Sequence, residues 1–292
     1  MTTTEQRSGN AVRTFSMQVR QEALDDLRRR LTATRWPSRE LVDDRSQGVQ
    51  LATMQEVCRY WAGDYDLGRV AARLNALPQF VTEIDGVDIH FLHVRSPHPG
   101  ALPLIMTHGW PGSVIEYLNV IDRLTRPEDP ADAFHVVCPS LPGYGFSAKP
   151  SGPEWGVARI AAAWATLMSR LGYERYGAQG SDWGTTVTTE LAKHDPAHLA
   201  GIHVVPPLVA PDRDPPGGLT PAERAALEKL DWHGAHDGGY SLEHATKPQT
   251  IGYALTDSPA ALCAWIYEKY RSWMDCDGDP RPSSPGPRCS TI

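Results

Sequence analysis

The chain has 292 residues, of which 41% are hydrophobic and 22% are charged, and its formal net charge is −7 at pH 7. This composition is typical of globular proteins and is enough for one large α/β domain with an appendage. The negative charge argues against a nucleic-acid partner, because phosphate backbones bind basic surfaces. The polar N-terminus and the short, interrupted apolar runs argue against a membrane segment. The five cysteines are scattered and never spaced C-x-x-C, so we expect no disulfide framework, no metal site and a cytoplasmic location.

The first 78 residues carry the periodicity of helices. Apolar side chains recur at helical spacing in three stretches, residues 19–31, 51–61 and 67–74. Such amphipathic helices must bury their apolar faces against something else. We therefore predict a helical arm over residues 1–78 rather than an independent domain.

Residues 79–214 show alternating strand and helix patterns. A turn at Asp85-Gly86 joins two predicted strands, and the full set of predicted strands is 79–84, 87–94, 102–107, 134–138, 176–179 and 199–205. Ser113 and Glu116 have the spacing of a capping box at the start of a helix. Further helices are predicted over residues 157–171 and 183–194. This alternation predicts an α/β core with a parallel sheet.

The remaining residues are predicted to form a lid and a tail. Residues 215–275 are interpreted as a helical lid, with a polar helix at 221–230, a loop at 231–240 and a helix at 259–273 that Ser258 caps. Residues 276–292 contain four prolines and no periodicity. We expect this tail to be disordered.

The motif Gly180-x-Asp182-x-Gly184 lies between a predicted strand and a predicted helix. This is the nucleophile-elbow pattern, in which a tight turn lifts one side chain above the edge of the sheet. A carboxylate in the central position can attack an electrophilic carbon directly and form an ester, whereas a serine must first lose a proton. The alternative is that Asp182 only caps the helix that follows it.

With these elements in place, the sequence resembles the microsomal-type branch of the epoxide hydrolases, which are α/β-hydrolases with an N-terminal helical region. The resemblance extends from about Phe15 to about Asp277 and is carried by four motifs: HGWPGS at 108–113, PSLPGYGFS at 139–147, GSDWG at 180–184 and GYSLEHATKPQTIGYALTDSP at 239–259. It implies a small apolar epoxide as the substrate and no cofactor. The branch's anchored members carry a transmembrane helix that is absent from this sequence.

The resemblance also assigns roles to four residues. Asp182 matches the nucleophile, and Trp110 and Trp183 match the residues whose backbone N–H groups form the oxyanion hole. Tyr240 matches one of two lid tyrosines that protonate the departing epoxide oxygen. The chemistry agrees, because an epoxide oxygen leaves as an alkoxide and needs a nearby acid, and the ester is hydrolysed through an anion that backbone donors stabilise.

The family places its second lid tyrosine, its acid and its histidine beyond the point where this sequence becomes proline-rich. We therefore expect an incomplete α/β-hydrolase fold that lacks the last strands, and impaired hydrolysis of the ester. The candidates for the base and the acid are interpreted as surface or lid residues: His194, His198, His203, His233, His236, His244, Glu268, Asp275 and Asp277. The exposed edge of the last strand predicts aggregation or homo-oligomers.

Two alternatives to an epoxide hydrolase stay open. One is a non-catalytic remnant or ligand-binding pseudoenzyme, which the missing base favours. The other is a haloalkane dehalogenase, which also uses an aspartate followed by a tryptophan. The HGWPGS motif, Tyr240 and the N-terminal arm argue against the dehalogenase.

Overall fold

The structure, a computed structural model, describes residues 10–276. These residues form two units. The sheet unit contains residues 10–18 and Gly68–Leu208, and the helical unit contains Val19–Leu67 and residues 209–276. The domain limits given by the sequence stay a prediction, and the predicted tail lies outside the described residues except for Cys276.

The sheet unit is built on seven strands within the described residues, and their order across the sheet is β1-β2-β3-β5-β4-β6-β7. The strands β1 to β3 and the pair β3–β5 are antiparallel, whereas β5, β4, β6 and β7 run parallel. Their bounds are β1 Arg13–Phe15, β2 Gln79–Ile84, β3 Val87–Val94, β4 Leu102–Thr107, β5 Phe134–Pro139, β6 Tyr176–Ser181 and β7 Leu199–Val205.

The strands from β2 onward lie where the sequence predicted them, and β1 is an addition. Asp85 and Gly86 both have positive φ, 50° and 80°, as a two-residue hairpin turn requires. Strand β1 pairs with β2 through three residues only, Arg13 to Phe15. Three residues are too few for a period-two pattern, so this strand had no recognisable signature.

Helices α3 (Leu67–Asn75), α4 (Ile121–Thr125), α5 (Val157–Arg170) and α6 (Trp183–His194) connect these strands. On α5 the buried residues Ala161, Trp164, Leu167 and Met168 recur at intervals of three and one, which places them on one face of the helix. This face joins the core of the sheet unit. Each such large side chain stabilises the fold by about 1.5–3 kcal/mol when it is fully buried.

The helical unit contains α1 (Gln21–Thr32), α2 (Leu51–Gly63), α7 (Pro221–His236), α8 (Gly239–Thr246), α9 (Pro248–Asp257) and α10 (Pro259–Trp273). Leu31 of α1, with Met54 and Cys58 of α2, packs in one cluster with Ala260 of α10. The N-terminal helices therefore bury part of their apolar faces against the last helix of the predicted lid. Ser258 caps α10 by accepting a hydrogen bond from Ala261 N at 3.2 Å, as predicted.

The loop predicted over residues 231–240 is wrong, because α7 continues to His236. The rings of Trp232 and His236 stack with centroids 4.8 Å apart, which is the i,i+4 contact that stabilises a helix. Thr220 and Glu223 form a capping box at the other end of this helix. Together these contacts outweigh Gly234, which weakens the helical pattern in the sequence. No helix within residues 10–276 is both long and apolar enough to cross a membrane.

Among the described strands, β7 pairs with β6 on one side only and therefore forms an edge of the sheet. Ile202 and Val205 on this strand are 42% and 52% exposed. We expect the chain to self-associate through β7, since an apolar edge strand can pair with a second copy. Ile202→Lys should shift sedimentation velocity profiles towards the monomer. Leu41→Lys, at a 90% exposed position of the helical unit, changes the charge equally and should leave the profile unchanged. A monodisperse wild-type monomer would contradict this expectation.

Candidate active site

Asp182 stands at the sharp turn between β6 and α6. Its backbone has φ 54° and ψ −121°, a conformation that costs a non-glycine residue energy and is concentrated at functional sites. Although it precedes α6, its side chain makes no capping hydrogen bond to that helix. The alternative that Asp182 only caps α6 therefore has no support from its geometry.

Two glycines allow α6 to approach the sheet closely at this turn. A Cβ at Gly180 would overlap the carbonyl group of Gly184, and a Cβ at Gly184 would overlap the carbonyl oxygen of Thr107 on β4. The first turn of α6 thus lies directly on the backbone of β4 and β6. No residue with a side chain fits at Gly180 or Gly184 without moving backbone atoms.

Hydrogen bonds to β7 hold the turn from the other side. The backbone N–H of Asp182 donates to the carbonyl oxygen of Val205 at 3.1 Å. The hydroxyl of Thr185 donates to the same oxygen at 2.9 Å and contacts the carbonyl oxygen of Gly180 at 3.2 Å. The strained backbone of Asp182 is therefore fixed by its neighbours in the sheet and the helix.

The loop after β4 places a backbone donor on the Asp182 carboxylate. The N–H of Trp110 donates to Oδ1 of Asp182 at 2.9 Å. The same carboxylate packs against Gly109, where a Cβ would overlap it. Trp183 is the first residue of α6, so its backbone N–H belongs to the helical turn that has no intrahelical partner. The structure thus places Trp110 and Trp183 next to Asp182.

His108 lies beneath this loop and is fully buried. Its Nε2 accepts a hydrogen bond from the backbone N–H of Leu141 at 3.2 Å, and its Nδ1 is 3.0 Å from the carbonyl oxygen of Gly109. Nε2 therefore carries no proton, and Nδ1 donates. Burial lowers the pKa of His108, against the opposing effects of the Gly109 carbonyl and the Asp182 charge. This neutral histidine positions the loop.

A second carboxyl group, Glu116, faces the same loop from the other side. It packs against Gly112, where a Cβ would overlap its Oε1. Glu116 as a whole is exposed, but its carboxyl group packs closely against the loop at Gly112. Desolvation and, to a smaller extent, the charge of Asp182 raise the pKa of Glu116 to about 7, although a hydrogen bond from the Ser113 backbone opposes the rise.

The predicted capping box of Ser113 and Glu116 is only half present. Glu116 accepts from the backbone of Ser113, but the Ser113 hydroxyl accepts from the N–H of Ile115 at 3.3 Å rather than from Glu116. This earlier contact closes a tighter turn, so a 3₁₀ helix at Val114–Tyr117 precedes α4 instead of one continuous α-helix.

Tyr240 belongs to the helical unit. It lies in the first turn of α8, and its ring contacts Trp273 edge-on at 5.3 Å and His244 at 5.9 Å between centroids. Of the four residues to which the resemblance gave roles, Asp182, Trp110 and Trp183 belong to the sheet unit and Tyr240 belongs to the helical unit. Their roles stay predictions.

Sequence reasoning did not identify Glu116, His108 or Tyr144 as neighbours of Asp182. Burial raises the pKa of Tyr144, and the charge of Asp182 adds to the rise, while its ring contacts that of His108 at 5.5 Å. All three residues follow the parallel strands β4 and β5 in the sequence, and this position could have identified them. The carboxyl ends of parallel strands meet at one edge of the sheet, where sites form.

Comparison with known proteins identifies similar families and relatives. A family model described as epoxide hydrolase N terminus matches residues 12–117, and a model described as alpha/beta hydrolase fold matches residues 103–234. The chain is 54% identical over 270 residues to a Stigmatella aurantiaca protein named "Putative epoxide hydrolase", and the match covers 91% of this chain and 61% of that protein. It is 34% identical to epoxide hydrolase 1 of Oryctolagus cuniculus, with 91% and 64% covered.

Solved structures agree with these matches. The structure of Aspergillus niger epoxide hydrolase is 32% identical with a TM-score of 0.85, and the match covers 96% of this chain and 73% of that one. Juvenile hormone epoxide hydrolase from Bombyx mori is also 32% identical, with a TM-score of 0.76. The predicted α/β-hydrolase fold is confirmed. The chain spans about three fifths of the length of the curated relatives it matches.

The close approach at Gly184 generates the second prediction. Gly184→Ala should reduce the free energy of unfolding by about 3 kcal/mol, because the added methyl group overlaps a backbone carbonyl that cannot rotate away. Gly201→Ala on β7 is the matched control, since a Cβ there meets nothing within 4 Å. Urea denaturation of both variants checks the difference. Equal losses would show that the helix does not press on the sheet at Gly184.

The raised pKa of Glu116 generates the third prediction. Its folded-state pKa of about 7 lies above the ordinary 4.5, so ionisation between these values disfavours the folded state relative to the unfolded one. Glu116→Gln should therefore melt at a higher temperature than wild type at pH 8.5, and this advantage should disappear as the pH falls to 4.5. Glu128→Gln removes the same charge from another exposed residue and serves as the control. A pH-independent effect of Glu116→Gln would contradict a raised pKa of Glu116 in the folded state.

Proposed function

This chain belongs to the epoxide hydrolase family of α/β-hydrolases, and from that premise we propose that Asp182 opens small apolar epoxides by forming an ester. One observation carries the proposal. The Asp182 carboxylate is held above a strained turn by the Trp110 N–H at 2.9 Å instead of capping its own helix. A carboxylate in this position can attack an sp³ carbon without a preceding proton transfer.

In the proposed first step, an Asp182 oxygen bonds to one epoxide carbon and the C–O bond of the ring breaks. The alkoxide that leaves is a strong base and needs a proton in the transition state. We assign the donor to the phenol of Tyr240, as the family resemblance implies. The products of the step are an ester of Asp182 with a free hydroxyl group and a phenolate at Tyr240.

In the proposed second step, water attacks the ester carbonyl and releases a vicinal diol. The tetrahedral intermediate carries a negative oxygen, and we assign its binding to the backbone N–H groups of Trp110 and Trp183, as the family resemblance implies. Removing one such donor costs about 2.7–4 kcal/mol in well-characterised enzymes. The same Trp110 N–H that holds the free carboxylate thus serves the intermediate.

The second step also needs a base for the attacking water, and neither His108 nor His194 supplies it. His108 already uses both ring nitrogens for backbone groups. His194 ends α6, about 18 Å from Asp182 by the rise of a helix. General-base assistance contributes about 10²- to 10⁴-fold. We therefore propose that this chain forms the ester faster than it hydrolyses it.

The fourth prediction follows from this difference in rates. Incubation with a styrene-type epoxide should add one substrate mass to the chain, with little diol released, and digestion should place the added mass on the Asp182 peptide. Asp182→Ala should abolish the adduct. Ser181→Ala, one residue earlier in the chain, should leave it intact. Intact-mass spectrometry measures all three proteins.

Three outcomes would contradict parts of this proposal. An adduct that survives in Asp182→Ala but not in Ser181→Ala would overturn the assignment of the nucleophile. Sustained release of diol by the wild-type chain would show that it contains a working base. Neither adduct nor diol would favour the alternative of a non-catalytic or ligand-binding protein.

A further inference from the structure

Lys269 is a buried cation on α10 and takes no part in the chemistry described above. It is only 4% exposed, whereas lysines are almost never fully buried without a partner. Burying an ammonium group is costly unless nearby charges or dipoles compensate for its lost hydration. The groups that contact Lys269 must therefore compensate for the hydration that its ammonium group has lost.

The Lys269 ammonium group has a carboxylate and two aromatic rings as neighbours. The Lys269 ammonium forms an ion pair with Glu268. It also lies 4.7 Å from the ring centroid of Tyr240 and 5.9 Å from a ring centroid of Trp273. Cations over aromatic faces at such distances are attracted by the ring electrons. Lys269 thus contacts the ring of Tyr240, which is the proposed proton donor.

Within residues 10–276, the other titratable groups that contact Tyr240 or Lys269 do not supply a second positive charge. His244 contacts the Tyr240 ring, but its Nε2 accepts a hydrogen bond from Nε1 of Trp265 at 3.1 Å, so Nε2 carries no proton. Burial lowers the pKa of His244, Glu243 raises it, and Lys269 lowers it. Glu268 and Glu243 contribute negative charges to the same region. Among these groups, Lys269 supplies the positive charge.

We propose that Lys269 is a positioning residue for Tyr240: it fixes the ring and stabilises the phenolate that remains when the phenol gives up its proton. This inference rests on the proposed function, in which Tyr240 is the acid. As Asp182 bonds to the epoxide carbon, the negative charge passes from the carboxylate to the phenolate, whose ring centroid lies 4.7 Å from the Lys269 ammonium nitrogen. When water hydrolyses the ester, the regenerated carboxyl group loses its proton, and Tyr240 recovers one.

If Lys269 had only a packing role, its contacts with the two rings would matter and its positive charge would not. Lys269→Met keeps the length and apolar stem of the side chain and removes the charge, whereas Lys269→Arg keeps the charge. A second, opposite change is available at Glu268→Gln, which removes the negative partner and leaves Lys269 unneutralised. The two variants should shift the ionisation of Tyr240 in opposite directions, which packing alone would not do.

The test is a pH titration of the purified chain labelled with ¹³Cζ-tyrosine, with the Tyr240 resonance assigned through Tyr240→Phe. We expect Lys269→Met to raise the titration midpoint of Tyr240 by about 1 pH unit, since an opposite charge within about 4–6 Å shifts ionisation by this order. Glu268→Gln should lower the midpoint, and Lys269→Arg should restore the wild-type value. If Lys269→Met does not fold, the shift in Glu268→Gln alone decides the question.

Unchanged midpoints in the variants that fold would overturn the inference. The titration requires no epoxide, so it is independent of the proposed function. In parallel, the rate of adduct formation on Asp182 should fall several-fold in Lys269→Met and recover in Lys269→Arg. Failure of the wild-type chain to form any adduct would count against the proposed function, while the NMR midpoints would still decide whether Lys269 acts on Tyr240.

Discussion

The close approach of α6 to the backbone of β4 and β6 is the constraint on which the sheet unit's site depends. Gly180 and Gly184 permit it, because side chains at these positions would occupy the space of carbonyl groups. With the helix pressed against the strands, the residue between them has little room and adopts a positive φ of 54°. The strain at Asp182 is thus maintained by packing around it, and its carboxylate is left at the edge of the sheet.

The loops after β4 and β5 then determine how that carboxylate behaves. Trp110 donates to it, and His108 stabilises the loop that carries Trp110 by binding backbone groups with both ring nitrogens. Glu116 lies against the same loop, and crowding by protein atoms raises its pKa to about 7. The fold thus opposes the ionisation of a carboxyl group that lies close to the proposed nucleophile.

The N-terminal helices α1 and α2 pack against α10 in the helical unit. Leu31 and Cys58 pack with Ala260 on α10, so the first helices of the chain support one side of that helix. Farther along α10, Lys269 and Trp273 contact the ring of Tyr240. Segments that lie about 200 residues apart in the sequence therefore cooperate, since α1 and α2 stabilise the helix that positions the proposed proton donor.

The sequence by itself determined the strands from β2 to β7, most helices and the turn around Asp182, because these features leave local signatures. Periodicity reports burial of one face, and glycine spacing reports a sharp turn or close approach. It also indicated the family, through motifs that occupy contiguous stretches. It missed strand β1 at Arg13–Phe15, whose pairing partner lies more than 60 residues away.

Only the tertiary structure decided which side chains surround those motifs. Glu116 looked like a helix cap, and the fold placed it against the loop beside the proposed nucleophile. No local pattern marks Lys269, and the fold buries its ammonium group against the ring of Tyr240. The physical reason is that burial and charge proximity depend on contacts between distant segments, whereas local sequence patterns record only the conformation of the segment that contains them.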